Sequence, residues 1–240
     1  MNSAGIYSTG NITVTNGAFV SYEAEVAVID GGNSITLTDT SLTSNKAGKW
    51  GVMIYQSMSG DAQGTKGTFT MTGGSLAYTA PDGPLFYVNN STAIISLKGV
   101  NLTAASGILI KAAAGDWGNS GSNGGTVVQT ADGQTLTGDL VTDAISSITT
   151  TLQNSSSLTG AINADNTAKA IILTLDASST WTVTADSYMT CLTDTGGISG
   201  STIANIIGNS HTVYYDKSAC PALEGQTYTL EGGGTLKPGN

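Results

Sequence analysis

The chain has 240 residues, of which 39% are hydrophobic and only 10% charged, and its formal net charge is −9. That apolar share suffices for a core, so the composition is not that of a disordered chain. The 8 basic residues are all lysines, too few and too scattered to neutralise a phosphate backbone, which argues against a nucleic-acid ligand. No apolar run approaches the roughly 20 residues of a membrane-spanning helix, so no membrane insertion is expected.

The opening "MNSAGIYSTG" has neither the charged start nor the apolar core of a secretion signal. It reads as the inside of a repeat, and the chain is expected to be a fragment of a longer secreted protein. Related units follow: "GIYSTGNITVTNGAFV" (5–20), "VAVIDGGNSITLTDTSLTS" (26–44) and "GVMIY" to "GTFTMTGGSLAY" (51–78). Then come "GPLFYVNNSTAIISLKGVNLTA" (83–104) and "GILIK" to "GTVVQTADGQTLTG" (107–138). Each holds an apolar strand, a polar corner, a T-x-T strand, a Gly, Asn or Asp corner and a short third strand. Recurrence of this kind marks stacked architectures, in which no unit can bury its apolar face alone. The spare length falls in two insertions, 56–67 and 112–125.

Successive side chains of a strand point to opposite faces. Val52 and Ile54 are expected inward, matched by Ile108 and Ile110. In the second strand Ile12 and Val14, Ile35 and Leu37, and Phe69 and Met71 point inward. The threonines between them, Thr13 with Thr15, Thr36 with Thr38, and Thr70 with Thr72, form an outward ladder that Ser96 and the charge of Lys98 cut short. On the outer side of the first strand Met53, Leu85 and Leu109 are expected, with Tyr55 and Tyr87 at equivalent positions and Lys111 one unit further on.

Beyond residue 140 the rhythm loosens, but 145–162, 170–187 and 188–194 still alternate and still turn at Asn, Asp, Gly or Ser. "GSTIANIIG" (200–208) is the best helical candidate, with Ser201 as its cap. The closing segment reads as short strands covering the end of the stack, because an open end is an unpaired edge. Cys191 and Cys220 have no ligand set beside them, and their spacing leaves a disulfide and two buried thiols equally open.

The expected fold is all-β, a right-handed parallel β-helix (a solenoid) with a C-terminal cap. It forms a single domain over 1–240, with regular rungs over about 5–140 and looser rungs and cap over 141–240. The runs "SAGIYSTGNITVTNG", "GGNSITLTDTSLTS" and "GTFTMTGGSLAY" resemble the secreted right-handed β-helix proteins of bacteria and archaea. That resemblance implies an extracellular or cell-surface location. Some members bind plant polysaccharides or act as adhesins, and pectate-lyase-like enzymes share the scaffold.

A lyase of that kind needs carboxylates converging on calcium and a strong base. Asp30, Asp39, Asp61, Asp82, Asp116, Asp132, Asp139 and Asp143 fall mostly at corners, where Asp is an ordinary turn residue. Lys111 alone is placed on a strand as a base, and no carboxylate pair stands beside it. His211 has no Ser or Cys partner for a triad. No catalytic residue is assigned. The aromatics carry the more specific signal: Tyr55 and Tyr87, with Lys111 at the edge and Trp117 from the second insertion, form the expected ligand-binding face. The plainer alternative is that the insertions fold over this face as packing, with Trp117 as a plug. Trp50 and Trp181 read as core or edge residues. The expected function is a non-catalytic extracellular polysaccharide-binding or adhesion domain, with calcium able to help recruit an acidic polymer. A ligand-free structural stalk, stacking end to end through its N-terminal edge, and a pectate-lyase-like enzyme are the alternatives.

Overall fold

The structure is a computed structural model that describes residues 3–57 and 64–239. The chain is all-β and its sheets are built mainly from parallel pairs. Strands recur in threes. The first of each repeat (Ile6–Ser8, Ala27–Asp30, Val52–Tyr55, Phe86–Asn89, Ile108–Ala112, Asp139–Thr142) pairs with the first of the next, giving a 6-stranded sheet. The second strands form an 8-stranded sheet running from Asn11–Thr15 to Cys191–Asp194, and the third strands, from Ala18–Ser21 to Asn101–Ala104, a 4-stranded one. A fourth, 9-stranded sheet gathers the strands from Thr135–Thr137 to Thr235–Pro238.

The second sheet is held in register by its alternation. Ile35 and Leu37, and Phe69 and Met71, are fully buried as expected, opposite Ile95 and Leu97 on the next strand. A shift of one residue would put every one of them in water. The corner after the second strand explains why the repeats carry Asn, Asp or Gly there. Asn16, Asp39, Gly73, Gly99, Gly133 and Asn154 all adopt positive φ, the left-handed region that only such residues enter cheaply. The corner backbone stays paired across repeats, Asp39 N–H donating to Thr72 C=O at 2.9 Å and Gly73 N–H to Lys98 C=O at 2.9 Å.

On its outward side the second sheet carries a longer hydroxyl column than the sequence suggested. Thr13, Thr36, Thr70 and Ser96 lie side by side, and the column runs on through Thr130, Thr151, Thr174 and Thr193. Lys98 interrupts only the neighbouring column, beside Thr72; it is exposed and pairs with Asp132 at 3.0 Å.

Three expectations are corrected. Val52 lies opposite Phe86 and Phe86 opposite Ile110, so Ile110 matches Val52 and Ala112, not Ile110, matches Ile54. The offset is two residues, which leaves the faces unchanged. Leu85 and Leu109 are fully buried. Leu85 precedes its strand, where its N–H donates to Ile108 C=O at 3.0 Å, and a register shift between Ile108 and Ile110 turns Leu109 inward. The 200–208 segment is a strand, Thr202–Ile207, whose Ile203 and Ile206 enter the core; the helical turn among the described residues is a short 3-10 turn further on, at Pro221–Leu223. Trp181, by contrast, lies in the core, one of the two places expected for it, its indole N–H donating to Gly160 C=O at 2.9 Å.

Cys191 and Cys220 are joined in a disulfide, tying the last strand of the second sheet to the residue before the 3-10 turn. At the other end the strands Ile6–Ser8, Asn11–Thr15 and Ala18–Ser21 are, among the described residues, paired on one side only. Ile12, Val14 and Phe19 are only partly buried there, while their counterparts Ile35, Leu37 and Leu42 are covered completely.

Candidate functional site

The outward positions of the first sheet form two columns. In one, Tyr7, Val28, Met53, Tyr87 and Lys111 follow each other across the strands. In the other, Asp30, Tyr55 and Asn89 do so. Tyr55 and Tyr87 are therefore not equivalent, as the sequence alignment had them. Both still face outward because the offset is even, one strand and two residues apart, roughly 8 Å on the diagonal.

These columns floor a cleft of about 470 Å³ lined by the rings of Tyr7, Trp50, Tyr55, Tyr87 and Trp117. Tyr55, Tyr87 and Trp117 thus meet as expected. Lys111 is not part of the lining; it sits one strand beyond Tyr87, half-buried. Trp50, read as core or edge, is a wall of the cleft and stacks on Tyr87 with centroids 4.3 Å apart and 13° between planes. Trp117 tilts over Tyr55 at 5.5 Å and 50°. The two tyrosines are consequently 7% exposed each, whereas Trp117 is 41% and Tyr7 50% exposed. The open surface of the cleft belongs to Trp117, Tyr7 and Trp50, with Tyr55 and Tyr87 as the layer beneath. Half of the first insertion, residues 58–63, lies outside the described residues.

Side-chain amides fix the second insertion. Asn89, fully buried, donates from Nδ2 to Ala113 C=O at 3.2 Å and to Asn123 C=O at 2.9 Å. Asn123 Nδ2 in turn donates to the carbonyls of Gly115 at 2.8 Å and Trp117 at 2.9 Å. Tyr87 closes the base of the loop with a 3.2 Å bond to Ala114 C=O. Asn89 Oδ1 is buried without a hydrogen-bond partner among the described residues.

Beneath the rings lies a hydroxyl–carboxylate relay that corner statistics did not single out. Asp30, 2% exposed, accepts the Tyr7 hydroxyl at 3.0 Å and the Ser57 N–H at 2.9 Å. The Tyr7 and Tyr55 oxygens are 2.8 Å apart. Since a phenol has one proton and that of Tyr7 is committed to Asp30, Tyr55 donates to Tyr7 and keeps its own lone pairs free. Burial first, and with it the bond donated to the Asp30 carboxylate, push the Tyr7 hydroxyl far above its ordinary value. Burial likewise raises Tyr55 and Tyr87. All three stay neutral, able to donate and accept hydrogen bonds but not to act as phenolate bases at ordinary pH.

Charge is carried at the rim. Glu25 meets Lys49 at 3.4 Å, and the Lys49 ammonium lies 5.8 Å from the Trp50 ring centroid. Asp116 lines the opposite side, exposed. With Asp30 below, carboxylates outnumber the single ammonium, so the cleft is negative on balance.

Compared with protein-family models, curated proteins and solved structures, the chain matches none of them. Among the described residues no group of three or more His, Cys, Asp or Glu side chains could hold a metal ion, and no helix is long and apolar enough to cross a membrane.

Proposed function

We propose that the parallel sheets close into a right-handed β-helix of the secreted prokaryotic kind, and that the first-sheet cleft is a non-catalytic binding site for a neutral oligosaccharide. The observation that carries this reading is the convergence of Tyr7, Trp50, Tyr55, Tyr87 and Trp117 on one cleft whose tyrosine hydroxyls are neutral and hydrogen-bonded. A pyranose has an apolar C–H face and a rim of hydroxyls. Aromatic faces take the first, and Tyr55, Asn89 Oδ1 and Asp116 supply partners for the second. The negative balance of the cleft favours a neutral sugar over an acidic one. The Cys191–Cys220 bond supports an oxidising, extracellular or cell-surface setting.

An array of plant, algal and bacterial glycans tests the assignment. Neutral oligosaccharides should be retained by the protein and lost in Trp50→Ala. An array without any neutral binder would remove the proposal.

A second reading, a stalk that stacks end to end, is favoured by the open edges of the strands Ile6–Ser8, Asn11–Thr15 and Ala18–Ser21 among the described residues, with the partly bare Ile12, Val14 and Phe19. Sedimentation at rising concentration separates the two readings, since Val14→Asp should abolish self-association and leave glycan binding untouched.

A further inference from the structure

A second aromatic cleft, of about 660 Å³, opens on the strands Ser187–Met189 and Thr212–Tyr215 and reaches Gly239, just past the strand Thr235–Pro238. It continues the outward column that passes through Tyr87 and Lys111. Lys111 lies beside Val141; the Asn163 N–H donates to Leu140 C=O at 2.8 Å and the Tyr188 N–H to Ile162 C=O at 2.9 Å. Tyr188 then lies opposite Tyr214, and Tyr214 opposite Lys237. The neighbours of these residues, Met189, Val213, Tyr215 and Leu236, are buried, which fixes Tyr188, Tyr214 and Lys237 on the outside.

The rings of Tyr188 and Tyr214 stack 4.7 Å apart with 8° between planes, and Lys237 Nζ lies 5.2 Å from the Tyr214 centroid. Tyr214 thus lies between Tyr188 and Lys237, and Tyr188, partly exposed, lines the cleft as the outer ring of the pair. Asn166 and Lys217 complete the polar lining. Lys217 is exposed and makes no ion pair among the described residues, and neither does Lys237. The one carboxylate of the lining, Asp216, is occupied at close range: Oδ1 accepts the N–H groups of Ser218 and Ala219 and the Ser218 hydroxyl. One unpaired ammonium, that of Lys217, therefore shares the lining with one self-capped carboxylate, while Lys237 stands outside it against the Tyr214 ring. In a chain of net charge −9 with 8 basic residues, the charges of this lining balance and Lys237 behind Tyr214 adds a positive one, whereas the first cleft is negative.

We propose that this second cleft is a separate binding site for a carboxylate-bearing pyranose, a uronic-acid unit of an acidic polysaccharide. The apolar sugar face lies on Tyr188 and the carboxylate on the Lys217 ammonium, a charge-assisted hydrogen bond. Lys237 adds to the field from beneath Tyr214, and Asn166 serves the ring hydroxyls. The assignment does not depend on the first cleft, since no residue is shared.

Calorimetric titration of the whole chain with oligomers of galacturonate, glucuronate and mannuronate, each beside its methyl ester, tests it. At least one acid should bind, and its ester, which keeps the ring but not the charge, should bind at least tenfold more weakly. Lys217→Ala, at an exposed position, and Tyr188→Ala should each weaken the acid about tenfold. Tyr188→Phe should restore it and report that the fold is intact. Trp50→Ala should leave acid binding unchanged while removing any neutral glycan, so the failure of one site is distinct from the failure of the other. No acid binding, equal binding of the ester, or binding that survives Lys217→Ala or Tyr188→Ala overturns the proposal.

Discussion

Trp117→Ala separates a binding surface from mere packing. The ring is 41% exposed, and its recorded ring contact is the tilted one with Tyr55 at 5.5 Å. The loop that carries it is anchored by Asn123 Nδ2 on the backbone carbonyls of Gly115 and Trp117, which the substitution leaves in place. An aromatic pair of this kind contributes about 0.5–1.5 kcal/mol. In a chain of this length a loss of about 1 kcal/mol lowers the melting temperature by about 2–4 °C. If the ring contacts sugar at the centre of the cleft, its removal should cost about 1–3 kcal/mol of binding, or roughly 5- to 150-fold in Kd. Tyr87→Ala is the contrasting control. That ring is 7% exposed, stacked on Trp50 and bonded to Ala114 C=O, so its loss should cost about 3–5 kcal/mol of stability, as for other buried aromatics. Calorimetric titration with the best neutral glycan and differential scanning calorimetry on the same samples read both quantities. A Trp117→Ala protein that binds normally yet melts many degrees lower would show the ring to be a plug, and the glycan assignment would fall.

Two further outcomes follow from the C-terminal half. Breaking the Cys191–Cys220 bond, which closes a separation of 29 residues, should destabilise the protein by roughly 3–4 kcal/mol on the chain-entropy account; identical melting curves with and without reductant would contradict this. The Asp176 carboxyl is lowered from 3.8 to about 2, first by the Asn154 N–H and, against the opposing effect of burial, by the Ser179 and Ser178 side chains and the Ser178 N–H. Because its folded value lies below its unfolded one, the contribution is present above pH 3.8 and lost as pH falls toward 2. Asp176→Asn should therefore be less stable than the parent at pH 7, with the gap closing in acid. A gap that stays constant with pH would refute the linkage.

Much of the second sheet was legible in the sequence, because T-x-T alternation and the obligatory left-handed corner repeat together. Ile35, Leu37, Phe69 and Met71 needed no more than a period of two. The first sheet was harder. Its apolar runs align equally well at offsets of two residues, so the pattern specified which face Tyr55 and Tyr87 occupy but not which column. Leu109 was misplaced by a bulge that alternation cannot foresee. Trp50 precedes its strand, and its place in the cleft depends on the Tyr87 ring from another repeat. Asp30 reads as a corner acid, and only the arrival of Tyr7 and Tyr55 makes it the base of a relay. Between 200 and 208 the isoleucines fit both a helical and an extended period; pairing with the strands Thr180–Thr182 and Tyr228–Glu231 decided for the latter.

The outward column through Tyr87, Lys111, Val141, Asn163 and Tyr188 also acts as a ruler. Four strand steps separate the two clefts, about 19 Å at the usual spacing of parallel strands. One repeat inserted or deleted between them would change that distance by about 4.8 Å while leaving both sets of lining residues intact. Grip on a polymer that reaches both clefts depends steeply on such a span. Selectivity for the pattern along a chain, as distinct from the identity of its units, could then evolve by whole-repeat duplication, without a single substitution in either cleft.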